Sequence, residues 1–146
     1  MKKMTIRDME VIDMEALSEL YSIYWGEKSN VAKMRDKFSR FCQNPAYIFL
    51  CACEGDRLVG SVCGTVCEDL YGDCHPFVVA ENMAVDKNFQ RKGIGKALFS
   101  ELTERAKALG CSQILLVTES EREDACKFYE SLGFHPTAKK GFKKKI

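Results

Sequence analysis

Apolar residues recur along the chain with two spacings, one typical of helices and the other typical of strands. Helical spacing runs from Asp13 to the break at Gly26, resumes at Val31 and ends before Pro45, and returns over residues 94–109 and 121–132. Strands are predicted at residues 5–9, 47–53, 58–66, 77–85 and 114–117, with a last extended segment from Phe134. The predicted order is β-α-α-β-β-β-α-β-α-β, a mixed α/β sheet with helices on both faces.

The length and composition fit one globular domain over residues 1–146. The chain is 46% hydrophobic and 29% charged, which is ordinary for a protein with a packed core. No apolar run approaches the roughly 18 residues that span a bilayer. The N-terminal residues lack the apolar stretch of a signal peptide. We therefore expect a cytoplasmic protein with no membrane partner.

The charge distribution bears on the partners. A net charge of +1 argues against nucleic-acid binding through an overall positive field. Residues 1–76 carry 9 basic and 12 acidic side chains, whereas residues 77–146 carry 13 and 9. This asymmetry suits a site for a polyanion beside a cationic partner, but chance in a short chain explains it equally well. The basic tail, residues 139–146, is predicted as a solvated edge strand protected by lysines.

The cysteines and histidines exclude some chemistry. Eight cysteines without a Cys-x-x-Cys pair do not form the usual zinc spacing, so no metal is expected. In a reducing compartment most of them are predicted to pack in the core. His75 and His135 each precede a proline, which favours loops or strand edges. Neither lies near a nucleophile-elbow sequence, so hydrolysis through a histidine-activated nucleophile is disfavoured.

A glycine turn between a strand and a helix carries the strongest chemical signal. Gly93 and Gly95 lie where the third helix begins, and the first amides of a helix have no internal partner. Glycines let an anion approach those amides, and the helix dipole favours negative charge there. Gln90, Arg91, Lys92 and Lys96 add donors or positive charge at the same point. The stretch therefore predicts a binding site for a pyrophosphate or a similar anion.

Spacing separates the glycine-loop families. A Walker A loop needs Ser or Thr after its lysine, but Lys96 is followed by Ala97. A dinucleotide fingerprint needs a third small residue where Leu98 stands. The remaining pattern, Gln90-x-x-Gly93-x-Gly95, resembles the acetyl-CoA pyrophosphate loop of the GCN5-related N-acetyltransferase (GNAT) superfamily. The strand Glu81-Asn-Met-Ala-Val and the later stretch from Ala125 to Phe134 also resemble that family, so that the motifs together cover residues 77–136.

The resemblance implies the GNAT fold, with a central mixed sheet of six to seven strands. It implies an enzyme that moves an acetyl group from acetyl-CoA directly to an amine, with no acyl-cysteine intermediate. The implied cofactor-binding residues are Met83, Ala84, Val85, Gln90, Arg91, Lys92, Gly93, Ile94, Gly95, Lys96, Arg122 and Tyr129. Arg122 departs from the pattern, because many relatives have an asparagine there that contacts the pantetheine arm. A binding or sensor module with the same fold and little turnover is the alternative.

Two residues are candidates for proton transfer. Glu81 interrupts an apolar strand, flanked on its own face by Val79 and Met83. An alkylammonium with a pKa near about 10 must lose a proton before it attacks, so Glu81 is the predicted general base. An ion-paired surface glutamate is the other interpretation. Tyr129 matches a position where similar enzymes have a tyrosine near the CoA sulfur, and is predicted to protonate the leaving thiolate.

The acceptor is expected to be a cationic small-molecule or peptide amine. In the family, the first helices and the loop before the third sheet strand usually build its site, and here both are acidic and aromatic. Such residues attract cations by charge and by cation–π contact. The residues concerned are Asp13, Glu15, Glu19, Tyr21, Tyr24, Trp25, Glu27, Glu68, Asp69 and Asp73. A homodimer is left open.

Overall fold

Five strands form one mixed sheet in the computed structural model, which describes residues 2–146. In sheet order they are β1 (Met4–Asp8), β2 (Tyr47–Glu54), β3 (Arg57–Cys67), β4 (Phe77–Val85) and β5 (Ile114–Leu116). Strands β1 to β4 are antiparallel neighbours. The helices are α1 (Met14–Trp25), α2 (Val31–Phe41), α3 (Ile94–Ala108) and α4 (Glu123–Ser131). Every helix predicted from the spacing is therefore present.

The chain divides into two compact units, Met1–Leu115 and Leu116–Ile146. The first contains strands β1 to β4 and helices α1 to α3, and the second contains α4 and the residues after it. A single domain over residues 1–146 stays a prediction. None of the helices in residues 2–146 is both long enough and apolar enough to cross a membrane.

Two glycines of β3 let α3 pack closely against the sheet. A Cβ at position 64 would lie 2.7 Å from Leu102 Cδ1, and one at position 60 would lie 3.2 Å from Ile94 Cγ2. Leu98 and Leu102 are completely buried in this contact layer. The close packing fixes the start of α3 beside the end of β4, where the glycine turn lies.

Helices α1 and α2 cover the opposite face of the sheet. Leu17 and Leu20 of α1 and Phe38 of α2 form a buried cluster with Cys51 and Cys53 of β2. Helix α1 ends at Gly26, whose φ of +80° is the left-handed conformation that favours glycine at a helix C-terminus. The predicted placement of helices on both faces is confirmed within the first unit.

The prediction of six to seven strands is wrong for the described residues, which form five. No strand follows Gly133, and residues 134–146 are irregular. A strand is stabilised by pairing with a neighbour, and a segment with five lysines and few apolar residues gains little from burial. The tail is exposed, as expected, but Phe142 is exposed with it and the edge strand is absent.

The cysteines are less buried than expected. All eight are free thiols, yet only Cys51 and Cys53 are fully buried, and Cys74 is exposed. The other five are half-buried: Cys63 and Cys67 lie on β3 and Cys126 on α4, whereas Cys42 and Cys111 lie outside the helices and strands. His75 and His135 are exposed outside the helices and strands, as their prolines predicted.

Candidate active site

Strand β4 contains one more residue than its partner beside the predicted base. Glu81 pairs with Cys63 and Ala84 pairs with Ser61, so two residues of β4 face one residue of β3 between them. Asn82 takes up the irregularity with a φ of +52°, and Ser61 Oγ donates a hydrogen bond to its carbonyl oxygen at 3.1 Å. This is a β-bulge, which re-aims the side chains on the bulged strand.

The bulge changes which residues flank Glu81. Thr65 and Cys63 share one face of β3, so their partners Val79 and Glu81 share one face of β4, as predicted. After the bulge that face continues with Ala84 rather than Met83. The prediction that Met83 lies on the face of Glu81 is therefore wrong, because regular alternation ends at Asn82.

The side chain of Glu81 is exposed. The neighbouring polar groups on its face are neutral. Burial, with a contribution from the negative charge of Glu81, raises the pKa of the Cys63 thiol to about 11. Tyr21 of α1 has its hydroxyl 3.9 Å from Cys63 Sγ, and burial raises the pKa of this phenol above its usual range. A proton acceptor on this face is therefore Glu81 rather than the thiol or the phenol.

The glycine turn has the geometry of an anion cradle. Arg91 and Gly93 both have left-handed backbones, with φ of +63° and +81°. No side chain caps α3, and its first turn has no acidic residue. A Cβ built at Gly93 would project into open space. Amides without a cap, an open approach and no competing carboxylate fit the pyrophosphate of CoA.

The predicted cofactor residues divide by exposure. Gln90, Arg91, Lys92, Gly93 and Lys96 are exposed, whereas Ala84, Val85, Ile94 and Gly95 are buried and Met83 is half-buried. The four buried residues can offer only backbone atoms to a bound cofactor. Gln90 also has a structural partner, because its Nε2 donates to the carbonyl oxygen of Val85 at 3.1 Å.

Sequence reasoning missed Asp86 and Arg57. Asp86 follows β4 directly and is buried, and its Oδ2 accepts a hydrogen bond from Arg57 Nη2 at 3.0 Å. The signal that was available is an aspartate between a strand and a glycine turn, which is typical of a capping carboxylate. Its cationic partner depends on strand pairing and has no signature along the chain.

Arg122 and Tyr129 belong to the second unit. Arg122 precedes the first turn of α4, and its Nε lies 3.8 Å from Glu119 Oε2. Tyr129 is half-buried on α4, with ring contacts to Phe128 and Phe134. The roles predicted for Arg122 and Tyr129 towards CoA stay predictions.

One further cleft lies in the first unit. It has a volume of about 470 Å³ and is lined by residues of β1, α2 and β2 and of the segments that follow β1 and α2, including Met9, Phe38 and Tyr47. None of the predicted cofactor or catalytic residues lines it. Among residues 2–146, no group of three or more His, Cys, Asp or Glu side chains is arranged to hold a metal ion.

A family model described as the acetyltransferase (GNAT) family matches residues 14–134. The chain belongs to the GNAT family. It is 34% identical over 125 residues to an uncharacterized N-acetyltransferase, CgeE, of Bacillus subtilis, covering 84% of this chain and 46% of that protein. It is 30% identical over 119 residues to N-alpha-acetyltransferase 30 of Xenopus laevis, covering 81% of this chain and 38% of that protein. The chain thus spans less than half the length of these curated relatives.

The fold agrees with the family. A crystal structure described as a transcriptional regulator from Bacillus halodurans superposes with a TM-score of 0.88 at 26% identity, covering 99% of this chain and 100% of the other. The mixed α+β architecture of a GNAT protein is therefore present, with five strands in the described residues.

Proposed function

We propose that this GNAT protein is an N-acetyltransferase that transfers the acetyl group of acetyl-CoA directly to an amine. The observation that carries the proposal is the β4 bulge, because it joins an exposed carboxylate to an irregular backbone at the end of the strand that leads to the glycine turn. The uncapped start of α3 supports it from the cofactor side. Family membership supports the reaction class.

In the proposed reaction the amine must first become neutral. Glu81 accepts the proton, directly or through a water molecule, and the amine nitrogen forms a bond to the thioester carbonyl carbon. Asn82 and Met83 lie outside the paired register of the ladder, and the amide of Met83 is the proposed donor to the developing oxyanion. The C–S bond then breaks, and Tyr129 gives its phenolic proton to the leaving thiolate. The attacking nitrogen loses its second proton through water to the Tyr129 phenolate, which restores the phenol. The products are an acetylated amine and CoA.

The proposed acceptor is a cationic amine. On α1 the ring of Trp25 packs edge to face against the rings of Tyr21 and Tyr24, at centroid distances of 5.3 and 4.7 Å respectively. Trp25 remains partly exposed. Aromatic rings of this kind bind ammonium groups. Two acidic residues of the predicted set have partners already, since Asp13 binds Arg7 and Glu15 lies 3.5 Å from Arg35. The other acidic residues of that set are Glu19, Glu27, Glu68, Asp69 and Asp73.

The name of N-alpha-acetyltransferase 30 suggests one acceptor class to test, the α-amine of a peptide. CoA release is measured with a thiol reagent while peptides, polyamines, aminoglycosides and anionic amines are compared as acceptors. We expect release only when an amine is present, and preference for cationic acceptors. Release at the same rate without an amine contradicts direct transfer, and preference for anionic amines contradicts the acceptor assignment.

A second candidate is an acetyl-CoA-binding regulatory module with little turnover. The description of the Bacillus halodurans neighbour as a transcriptional regulator favours it. Calorimetric binding of acetyl-CoA without CoA release from any amine supports this candidate. Acetylation of an amine at a rate that depends on Glu81 supports the enzyme.

A further inference from the structure

Arg57 and Asp86 meet at one end of the sheet, where the β2–β3 turn lies beside the end of β4. Arg57 is the first residue of β3, and the backbone amide of Asp86 donates to the carbonyl oxygen of Val59 at 2.8 Å. This pairing brings Arg57 Nη2 to 3.0 Å from Asp86 Oδ2 across 29 positions of sequence. The carboxylate is nearly buried, whereas the arginine side chain is 60% exposed.

Asp86 uses its two oxygens for different tasks. Oδ2 accepts from Arg57, and Oδ1 accepts from the backbone amide of Asn88 at 2.9 Å. The second bond caps the 3-10 turn Lys87–Phe89 that begins the glycine turn. Arg57 therefore restrains the carboxylate of Asp86. This carboxylate in turn restrains the backbone that leads to Gly93.

Phe89 provides a second link between Arg57 and the same turn. Its ring is buried, and the guanidinium carbon of Arg57 lies 5.2 Å from the ring centroid. Lys92 Nζ lies 5.2 Å from the same centroid. Both distances are within the range of cation–π interactions. Lys92 directly precedes Gly93, so the two cations and the ring connect β3 to the start of α3.

We propose that Arg57 is a positioning residue for the phosphate-binding turn, acting through Asp86 and Phe89. An ion pair with so exposed a partner contributes little to global stability, so its effect is expected in the geometry of the turn. The inference rests on the proposed function, since it assumes that this turn binds the pyrophosphate of CoA. Arg57 itself need not touch the ligand.

The experiment measures CoA affinity by calorimetry for the wild type, Arg57→Ala and Asp86→Asn, with thermal melting as a folding check. We expect both variants to bind CoA about tenfold more weakly, the loss typical of one charge-assisted hydrogen bond. The Asp86→Asn variant distinguishes positioning of the turn from electrostatic attraction. If attraction alone set the affinity, removing a negative charge beside the turn would strengthen CoA binding. Weaker binding of that variant supports positioning, and tighter binding overturns it.

A matched control is available on α2. Arg40 also pairs with an aspartate, Asp36 at 3.1 Å, and also lies over a ring, Phe41 at 5.6 Å. We expect Arg40→Ala to leave CoA affinity unchanged. If Asp86→Asn does not fold, Arg57→Ala is compared with the wild type at low and high salt. A loss that persists at high salt supports positioning, and one that disappears overturns it.

An acetyl donor without the pyrophosphate tests whether Arg57 acts on the phosphate-binding turn alone or on the whole site. S-acetylpantetheine lacks the pyrophosphate, so Arg57→Ala and the wild type should use it equally well. A similar loss with both donors assigns Arg57 a general structural role and overturns the inference. If the wild type binds no CoA, the proposed function itself fails. If the wild type binds and Arg57→Ala binds equally tightly, only the inference about Arg57 fails.

Discussion

Glu81 on β4 faces Cys63 on β3, and this is the last paired position before β4 takes in its extra residue. Immediately after it, the left-handed backbone of Asn82 is held by a hydrogen bond from Ser61. The carboxylate is thus carried by a regular strand, whereas the next two residues leave the ladder. The proposed transfer needs a proton acceptor and a backbone amide donor at neighbouring positions, and Glu81 and Met83 are the residues we propose for these roles.

Replacing Glu81 by glutamine should lower the rate of acetyl transfer by about 100-fold, the usual lower bound for a general base. The loss should be largest below neutral pH, where more of the amine is protonated. The variant keeps the shape of the side chain, so CoA affinity measured by calorimetry should be unchanged. Glu104→Gln changes an exposed glutamate of α3 and should leave the rate as it is. Equal pH–rate profiles for the wild type and Glu81→Gln contradict the assignment.

The two ends of α3 provide a matched test of the anion cradle. Gly93 and Gly110 have φ of +81° and +78°, and a Cβ at either would meet open space. Alanine at each should therefore cost a similar amount of stability, about 1 kcal/mol. Only Gly93→Ala places a methyl group at the start of α3, so only this variant should bind CoA more weakly. Equal affinities of the two variants in calorimetry contradict a pyrophosphate site at Gly93.

The sequence predicts most of the first unit because its signals are local. Apolar residues at helical spacing predict α1 and α2, and the left-handed Gly26 ends α1 where a break is expected. The apolar run Phe77–Val85 predicts β4 with its observed bounds. The strand expected after Gly133 is absent. The sequence could not show this, because a tail rich in lysine has no local feature that reveals whether a partner strand exists.

The bulge and the support of the glycine turn depend on pairing between strands. Within residues 77–85 only Glu81 and Asn82 interrupt the apolar pattern, and the local hint of a bulge is Asn82, a residue type that tolerates a left-handed backbone. The bond between Arg57 and Asp86 joins residues 29 positions apart. Its existence follows from the register of β3 and β4, which a single sequence does not display.

Tyr129→Phe should slow acetyl transfer by at least about tenfold, because it removes the proposed acid for the leaving thiolate and keeps the ring. The variant keeps the ring that contacts Phe128 and Phe134, and thermal melting is the folding check. CoA affinity should change only modestly. Tyr71→Phe, at a residue that is 88% exposed, is the control. A Tyr129→Phe enzyme with wild-type turnover assigns Tyr129 to packing alone.

The raised pKa of the Cys63 thiol predicts that the free energy of unfolding depends on pH. Burial raises the pKa of this thiol from 9.0 to about 11, with Glu81 contributing to the rise. Between these values the folded protein keeps a proton that the unfolded chain has lost. The stabilisation is therefore complete below pH 9 and is lost as the pH rises to about 11, at up to about 1.4 kcal/mol per pH unit.

Urea unfolding at several pH values measures this slope. Cys51, whose pKa burial raises to about 12, contributes to the same loss in the wild type, so the comparison must be between variants. Cys63→Ala should flatten the fall in unfolding free energy between pH 9 and 11, whatever its effect on absolute stability. Cys74→Ala changes an exposed thiol and should leave the slope unchanged. A wild-type slope in Cys63→Ala contradicts the burial of this thiol beside Glu81.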